Sequence, residues 1–235
     1  MKIGILTICT GKYTIFFDSL YDSLEKHFLK GHEKTYYVFT DGEIREEDNV
    51  VRIEQNKLGW PYDTMMRFNM FNSISKDLSN ENFLYFFNAN MKAMNDIGDE
   101  VIPSENNDFL MGAHHPGFFG KSNLIFPYDR NPESSCYIPR GEGNVYVQGC
   151  FNGGRTKEFL EMSKLLANNT DTDIKNNIIP LWHDESEINW YYKDKSPLVL
   201  PYDYIYPEGW GSDINKMKMI QLDKNNHGKH NYLRS

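Results

Sequence analysis

An Asn-x-Asn pair, Asn88 and Asn90, follows an apolar and aromatic run at residues 84–87. The run is typical of a buried strand, and the i, i+2 spacing puts both amides on one side of the chain as it leaves the sheet. Ligands of parallel α/β sheets bind at such strand ends. Two aspartates there would hold a divalent cation against an anionic ligand, whereas an Asn-x-Asn is more often a turn. The pair is therefore a candidate binding site, but the spacing alone does not distinguish a binding site from a turn.

A second candidate is the acidic segment WHDESE at residues 182–187. Asp184, followed three residues later by Glu187, has the form of a helix N-terminal cap with its reciprocal partner, and this predicts a helix start without any chemistry. Glu185 is not used by that cap. In the first helical turn the positive end of the helix would keep its carboxylate ionised and able to act as a nucleophile or charge stabiliser. Two interpretations of this segment remain open: a helix cap with no chemical role, and a catalytic role for Glu185.

Two further segments combine histidine or glycine with polar side chains. His114 and His115 point to opposite sides of an extended chain, so a shared metal ion is disfavoured, and His115 could bond a ligand hydroxyl or the backbone. The glycine-rich residues 148–155 (QGCFNGGR) predict a turn between a strand and a helix. Their spacing fits neither a dinucleotide-binding motif nor a phosphate-binding P-loop.

The composition favours one soluble domain that does not bind nucleic acid. The chain has 235 residues and is 40% hydrophobic, enough for a sizeable core. Acidic residues outnumber basic ones by 33 to 25, and the net charge of −8 argues against nucleic-acid binding. Cys9, Cys136 and Cys150 have no metal-binding spacing, so we expect thiols in a reducing cytoplasm. No apolar stretch is long enough to span a membrane, and the N-terminus does not resemble a signal peptide.

Hydrophobic periodicity predicts alternating strands and helices along the chain. The predicted strands lie at residues 3–8, 36–40, 50–53, 84–87, 109–113 and 145–147, and the helices at 17–28, 68–78, 159–166 and from 182 onward. This order predicts a mostly parallel sheet covered by helices. Residues 114–143 carry no regular pattern, but their aromatic content argues against disorder. The basic last twenty residues form either a solvated tail or a positive lid over an anionic ligand.

Several motifs together resemble glycosyltransferase family 6, the retaining α-1,3-galactosyl- and N-acetylgalactosaminyltransferases that include the ABO blood-group enzymes. The matching segments are, in order, YYVFTD at 36–41, HPGF at 115–118, SCYIP at 135–139, GG at 153–154 and WHDES at 182–186. The resemblance covers nearly the whole chain. It implies an α/β protein of the GT-A fold, a single Rossmann-like domain over residues 1–235 with a mixed, mostly parallel sheet. It also implies a UDP-galactose or UDP-GalNAc donor and an oligosaccharide acceptor such as a fucosyl-galactoside.

The resemblance further implies roles for individual residues. Asn88 and Asn90 fall on the family's metal-binding Asp-x-Asp, and because amides are weaker ligands than carboxylates we expect no divalent metal and no cofactor. Lys224 and Arg234, in a basic tail at 216–235 that would close over the donor, are expected to neutralise the diphosphate instead. The other implied donor-binding residues are Ile8, Thr10, Tyr13, Arg67, Gln148, Gly149, Cys150 and Asp184. The implied acceptor-binding residues are His115, Trp182 and Glu185.

Glu185 is the predicted catalytic residue. It would stabilise positive charge at the anomeric carbon, either as a covalent nucleophile or as the charge partner of a front-face displacement. The segment 148–150 matches the positions where blood-group enzymes distinguish galactose from its N-acetylamino form, and the size of Gln148 and Cys150 slightly favours UDP-galactose. As a bacterial-type member, the protein is expected in the cytoplasm, where it could contact the inner face of the membrane.

The sequence is also compatible with two other functions. One is a sugar-binding protein of the same fold that has lost catalysis. The other is a metal-dependent hydrolase built from His114, His115, His183 and Asp184.

Overall fold

A mixed seven-stranded sheet runs through the computed structural model, which describes residues 1–234. Its strands are β1 (Lys2–Ile8), β2 (Glu33–Thr40), β3 (Val50–Glu54), β4 (Phe83–Phe87), β6 (Leu110–His114), β7 (Val147–Arg155) and β8 (Leu198–Leu200). Their order across the sheet is β3-β2-β1-β4-β7-β6-β8. The pairs β3·β2, β2·β1, β1·β4 and β6·β8 are parallel, and β7 is antiparallel to both neighbours. The mixed, mostly parallel sheet predicted from the sequence is confirmed.

A small second sheet was not predicted. It joins β5 (Met91–Ala93), β9 (Tyr206–Pro207) and β10 (Met219–Gln221) in the order β5-β10-β9. These strands are two or three residues long, too short to give a periodic pattern. The sheet brings the C-terminal part of the chain directly against the residues that follow Asn90.

Helices cover both faces of the large sheet. They are α1 (Phe17–His27), α2 (Tyr62–Met65), α3 (Arg67–Ser73), α4 (Ser75–Leu78), α5 (Thr156–Lys175), α6 (Asp184–Tyr192) and α7 (Lys229–Arg234). On one face, Leu20 and Leu24 of α1 pack in the same core as Ile5. On the other face, α3 and α5 pack against Leu6 and Phe86, so successive strand residues are buried on opposite sides. Within residues 1–234, each helix is too short or too polar to cross a lipid bilayer.

Two predicted elements differ from the structure. The helix predicted over 68–78 is a series of three short helices, α2 to α4, that starts earlier. The glycine-rich residues 148–155 are strand β7, so the predicted turn is wrong. A Cβ atom on Gly153 would lie 2.5 Å from Tyr85 Cδ1, and one on Gly154 would lie 2.5 Å from the Phe109 carbonyl oxygen. These glycines permit close packing inside the sheet rather than a change of direction.

The basic C-terminal segment is folded over residues 216–234. It contains β10, a 3₁₀ turn at Lys224–His227 and α7, in which Leu233 is buried. Asn90 fixes this segment, because its backbone oxygen accepts from Leu222 N (2.8 Å) and its side-chain Nδ2 donates to Leu222 O (2.9 Å). Residues 216–234 therefore form a folded segment rather than a frayed tail, although most of residues 225–234 are exposed to solvent.

Candidate active site

A cavity of about 280 Å³ opens at the ends of β1 and β4. The parallel pairing of these strands carries the residues after Ile8 and after Phe87 to the same edge of the sheet. Nine predicted site residues line the cavity: Ile8, Thr10, Tyr13, Arg67, Asn88, Asn90, Trp182, Lys224 and Arg234. They come from distant parts of the chain, and the fold brings them together.

Arg67 is a buried cation at the base of this cavity. Its Nη1 lies 2.6 Å from Asp184 Oδ2 and donates to the Gly149 carbonyl oxygen at 2.7 Å. Its Nη2 donates to Asn88 Oδ1 at 3.1 Å, and the guanidinium lies 3.8 Å above the Phe86 ring. Burial raises the pKa of the Asp184 carboxyl, and the Arg67 charge opposes that rise. Because a charge left unpaired at this depth is costly, the two side chains depend on each other.

The predicted helix cap at Asp184 is wrong. Helix α6 begins at Asp184, and the residue before it, His183, has a φ of 53° and makes no side-chain cap. The Asp184 carboxylate is taken by Arg67, and the buried Glu187 accepts a hydrogen bond from Asn169 (3.3 Å). Asp184 therefore serves a buried ion pair with Arg67 in place of a local cap.

Glu185 is held by two donors. Tyr146 Oη donates to Oε1 at 2.6 Å and Gly149 N donates to Oε2 at 2.9 Å. Burial nevertheless raises the pKa of Glu185 to about 7, although both hydrogen bonds act to lower it. The helix field therefore does not keep this carboxylate fully ionised at neutral pH, contrary to the prediction. The group is balanced between its acid and base forms.

Six predicted site residues are not among those that line the cavity: Gln148, Gly149, Cys150, Asp184, Glu185 and His115. Gly149 still shapes the site, because a Cβ atom there would lie 2.7 Å from Asp184 Oδ2. Cys150 is buried, and this burial raises the pKa of its thiol. Gln148 has a buried Oε1 that makes no hydrogen bond within the described chain, while its Nε2 lies 3.5 Å from Gln221 Oε1. All three cysteines are free thiols, as predicted.

Two cations of the C-terminal segment face the cavity. Lys224 Nζ lies 5.1 Å from the centre of the Tyr13 ring, and the Arg234 guanidinium lies 4.8 Å from the Trp60 ring. Burial, followed by the nearby Arg234 charge, lowers the pKa of Lys224 to about 8. Two positive charges close to each other repel, and an anion bound between them would offset that repulsion.

The predicted acceptor residues lie in different settings. Trp182 is half-exposed on the cavity wall. His115 is part-buried against Phe118 and Tyr146, and its Nδ1 accepts from Gly117 N at 3.0 Å. Burial lowers the pKa of His115 to about 4. Because Nδ1 accepts, the proton of this neutral imidazole is on Nε2, which can donate to a ligand oxygen.

The structure does not unite the histidines required for a hydrolase. His183 packs edge-on against Trp60 and its Nδ1 lies 3.4 Å from Thr64 Oγ1. His114 packs instead against Phe119. Among residues 1–234, neither belongs to a group of side chains spaced to hold a metal ion.

Sequence reasoning missed part of the cavity wall. Lys57, Trp60, Asp63, Thr64, Phe86 and Ala89 also line it, as does His183, which the sequence suggested only for a hydrolase. Residues 55–66, which supply four of these, carry no regular pattern and include a cis Trp60–Pro61 bond. Tyr146 was missed as well, because nothing in a strand pattern indicates that its hydroxyl reaches Glu185 across 39 residues.

Comparison with known proteins gives a match over the entire chain. A sequence model described as Glycosyltransferase family 6 matches residues 1–235. The O-antigen biosynthesis glycosyltransferase WbnI of Escherichia coli is 36% identical over 227 residues, with 95% of each chain covered. The Histo-blood group ABO system transferase 1 of Rattus norvegicus is 31% identical over 240 residues, covering 95% of this chain and 67% of its own. The Globoside alpha-1,3-N-acetylgalactosaminyltransferase 1 of Gallus gallus is 29% identical over 239 residues, covering 96% and 68%.

Proposed function

Because the chain belongs to glycosyltransferase family 6, we propose that it transfers galactose or N-acetylgalactosamine from a UDP-sugar to a β-galactoside, retaining the anomeric configuration. The match confirms the resemblance carried by the five motifs, and with the mixed sheet it confirms the predicted GT-A fold and hexosyltransferase class. The observation that carries the proposal is a cavity lined by the cations Arg67, Lys224 and Arg234, in which Arg67 also pairs with Asp184, the neighbour of Glu185 in the chain. The names of the relatives support an oligosaccharide acceptor and leave both donor sugars open.

The donor diphosphate would be held without a metal ion. Lys224 and Arg234 line the cavity and provide two positive charges for the leaving UDP. Asn88 Oδ1 already accepts from Arg67, and Asn90 Nδ2 is used to fix Leu222. The amides thus serve the protein itself, which supports a diphosphate site based on side-chain cations. In this proposal, residues 216–235 close over the donor, while Ile8, Thr10 and Tyr13 contact uridine.

The transfer step would rely on Glu185. As the bond from the anomeric carbon to the diphosphate oxygen breaks, its electron pair leaves with UDP and positive charge develops on the sugar. The ionised carboxylate stabilises that charge, either by attacking the anomeric carbon or by electrostatics during front-face attack by the acceptor oxygen. Asp184 would bond the donor-sugar hydroxyls, and Trp182 and His115 would orient the acceptor.

UDP-galactose is the favoured donor in this proposal. Gln148 and Cys150, at the positions that discriminate the two sugars in the resemblance, both carry side chains larger than alanine or glycine. The acceptor would be a fucosylated or plain β-galactoside. A role in cell-surface glycan synthesis would place the enzyme in the cytoplasm, in contact with the inner face of the membrane.

A donor-by-acceptor assay tests the proposal. Purified protein is incubated with UDP-galactose or UDP-GalNAc and with lactose or fucosyllactose, and UDP release and the anomeric configuration of the product are measured. We expect an α-linked product whose rate is unchanged by EDTA or by added Mn²⁺. Donor and acceptor binding without turnover would instead identify a sugar-binding protein, and strong Mn²⁺ dependence would refute the metal-free diphosphate site.

Glu185→Gln tests the assigned catalytic residue. The amide is of similar size and keeps an acceptor for Gly149 N, so donor affinity should be retained. Loss of the charge should lower kcat by about 10²–10³-fold, the usual effect of one electrostatic contact to a transition state. Glu161→Gln, an exposed glutamate of α5, is the matched control. Near-normal transfer by Glu185→Gln would exclude this residue from the chemistry.

A further inference from the structure

A second cluster of reactive side chains lies outside the cavity lining. It consists of Cys136, Asp173 and Glu187, whose sulfur and carboxylate oxygens all lie within 4.8 Å of one another. Each residue is at most 1% exposed. They come from three separate segments: the long irregular connection before β7, the C-terminal end of α5 and the first turn of α6. The cluster therefore joins parts of the chain that are distant in sequence.

The charges of this cluster are not balanced by protein cations. Among residues 1–234, no lysine or arginine forms an ion pair with Asp173, Glu187 or the neighbouring buried Asp129. Asp173 also lies at the end of α5 where the helix dipole opposes an anion. Buried charges in proteins are usually paired with an opposite charge or bound to a metal ion.

Hydrogen bonds satisfy part of the cluster and leave one atom without a partner. Asp173 accepts from Ser135 N at 2.8 Å and from Ser134 Oγ at 3.1 Å. Glu187 Oε2 accepts from Asn169, but Glu187 Oε1 is buried and has no hydrogen-bond partner within the described chain. The cluster thus contains a buried carboxylate oxygen with free lone pairs.

We propose that Cys136, Asp173 and Glu187 bind one Zn²⁺ ion. A thiolate with two carboxylates combines a soft donor with oxygen donors, which suits Zn²⁺ better than Mg²⁺ or Ca²⁺. An ion between three atoms at most 4.8 Å apart would lie no more than about 2.8 Å from each, so a contraction of under about 1 Å gives the usual Zn–S and Zn–O distances. Asp129 Oδ2, 3.9 Å from Cys136 Sγ, is a neighbouring oxygen that can accept a bond from a zinc-bound water.

The ion would act as a structural brace. It ties α5 and the irregular connection to α6, the helix that carries Asp184 and Glu185 at its start. Binding requires the thiolate form of Cys136, so it releases a proton and weakens as the pH falls. This proposal does not depend on the transfer reaction.

Metal content and spectroscopy test the brace directly. Protein purified without chelator and exchanged into metal-free buffer should contain close to one zinc per chain by elemental analysis. After removal of zinc, added Co²⁺ should produce thiolate-to-cobalt charge-transfer absorption in the wild-type protein and in Cys9→Ser, which loses a buried thiol outside the cluster. Cys136→Ser and Glu187→Gln should lose most of the bound zinc, and Cys136→Ser should lose the cobalt absorption.

Thermal unfolding gives a second readout that does not require the variants to fold well. Adding Zn²⁺ alone to the stripped wild-type protein, at about 100 times its Kd, should raise Tm by about 5–10 °C. Absence of zinc in the purified protein, with no Tm response to added Zn²⁺, would overturn the proposal and identify a proton as the balancing charge. Metal dependence at the donor site would instead appear as Mn²⁺-stimulated turnover without a change in zinc content.

Discussion

The hydrogen bond from Tyr146 to Glu185 gives a sharp prediction for the pH dependence of transfer. Tyr146→Phe removes the hydroxyl that donates to the Glu185 carboxylate at 2.6 Å and keeps the aromatic ring that packs against His115. Because the bond favours the ionised form, its loss should raise the pKa of Glu185 further above about 7. A hydrogen bond to a charged group contributes about 1.5–3 kcal/mol, which corresponds to about one to two pH units.

The size of the effect follows from the ionised fraction. In the wild-type enzyme, about half of Glu185 is ionised at pH 7. A rise of one to two pH units reduces that fraction to between about 1/11 and 1/100, so kcat/KM at pH 7 should fall between about 5-fold and 50-fold. Since the carboxylate must be ionised, kcat/KM of Tyr146→Phe should recover as the pH rises. Near pH 8, deprotonation of Lys224 should begin to lower kcat/KM again.

The assay is kcat/KM for UDP-sugar transfer between pH 5.5 and 9.5, because this parameter reports groups of the free enzyme. The acidic limb of the wild-type profile should lie near pH 7 and should move upward in Tyr146→Phe. Tyr192→Phe is the matched control, since it also loses a buried hydroxyl donor, here to Met111 O at 2.9 Å, without contact to Glu185. An acidic limb that stays in place in Tyr146→Phe, or that moves downward, would refute the assignment of this limb to Glu185.

Two further predictions concern the cations of the site. Arg67→Met should lower the free energy of unfolding, measured by urea denaturation, by about 3–5 kcal/mol, because it leaves the Asp184 charge buried without its partner. Adding Asp184→Asn to this variant should recover part of the lost stability, and no recovery would show that the ion pair is unimportant. Lys224→Met should lower kcat/KM by about 10–100-fold, because a charged contact to the diphosphate is lost. The variant should also lose the alkaline limb of the pH profile of kcat/KM near pH 8. An unchanged alkaline limb would mean that another group causes it.

The sequence was informative about elements and much less so about the site. β1, β2 and α1 have strong periodicity, and their predicted bounds agree with the structure within a few residues. Residues 148–155 were mispredicted because glycine is used both for turns and for close packing, and a single sequence does not show which neighbour approaches. The Asp184 cap failed because Arg67, 117 residues earlier, outcompetes the local partner. Spacing could not join Thr10, Arg67 and Lys224 in one cavity; the family resemblance supplied them together.

The contacts of Arg67 give a physical reason for asparagine at position 88. The guanidinium already shares its positive charge with Asp184 and directs its other nitrogen to the neutral Asn88 Oδ1. A carboxylate at position 88 would place two anions on one buried cation, and the excess charge would need a further positive ion, which a divalent metal would provide. Asparagine keeps the hydrogen bond and removes that excess. In the proposed function, the amide of Asn88 would keep excess negative charge away from Arg67, while Lys224 and Arg234 would supply positive charge for the diphosphate.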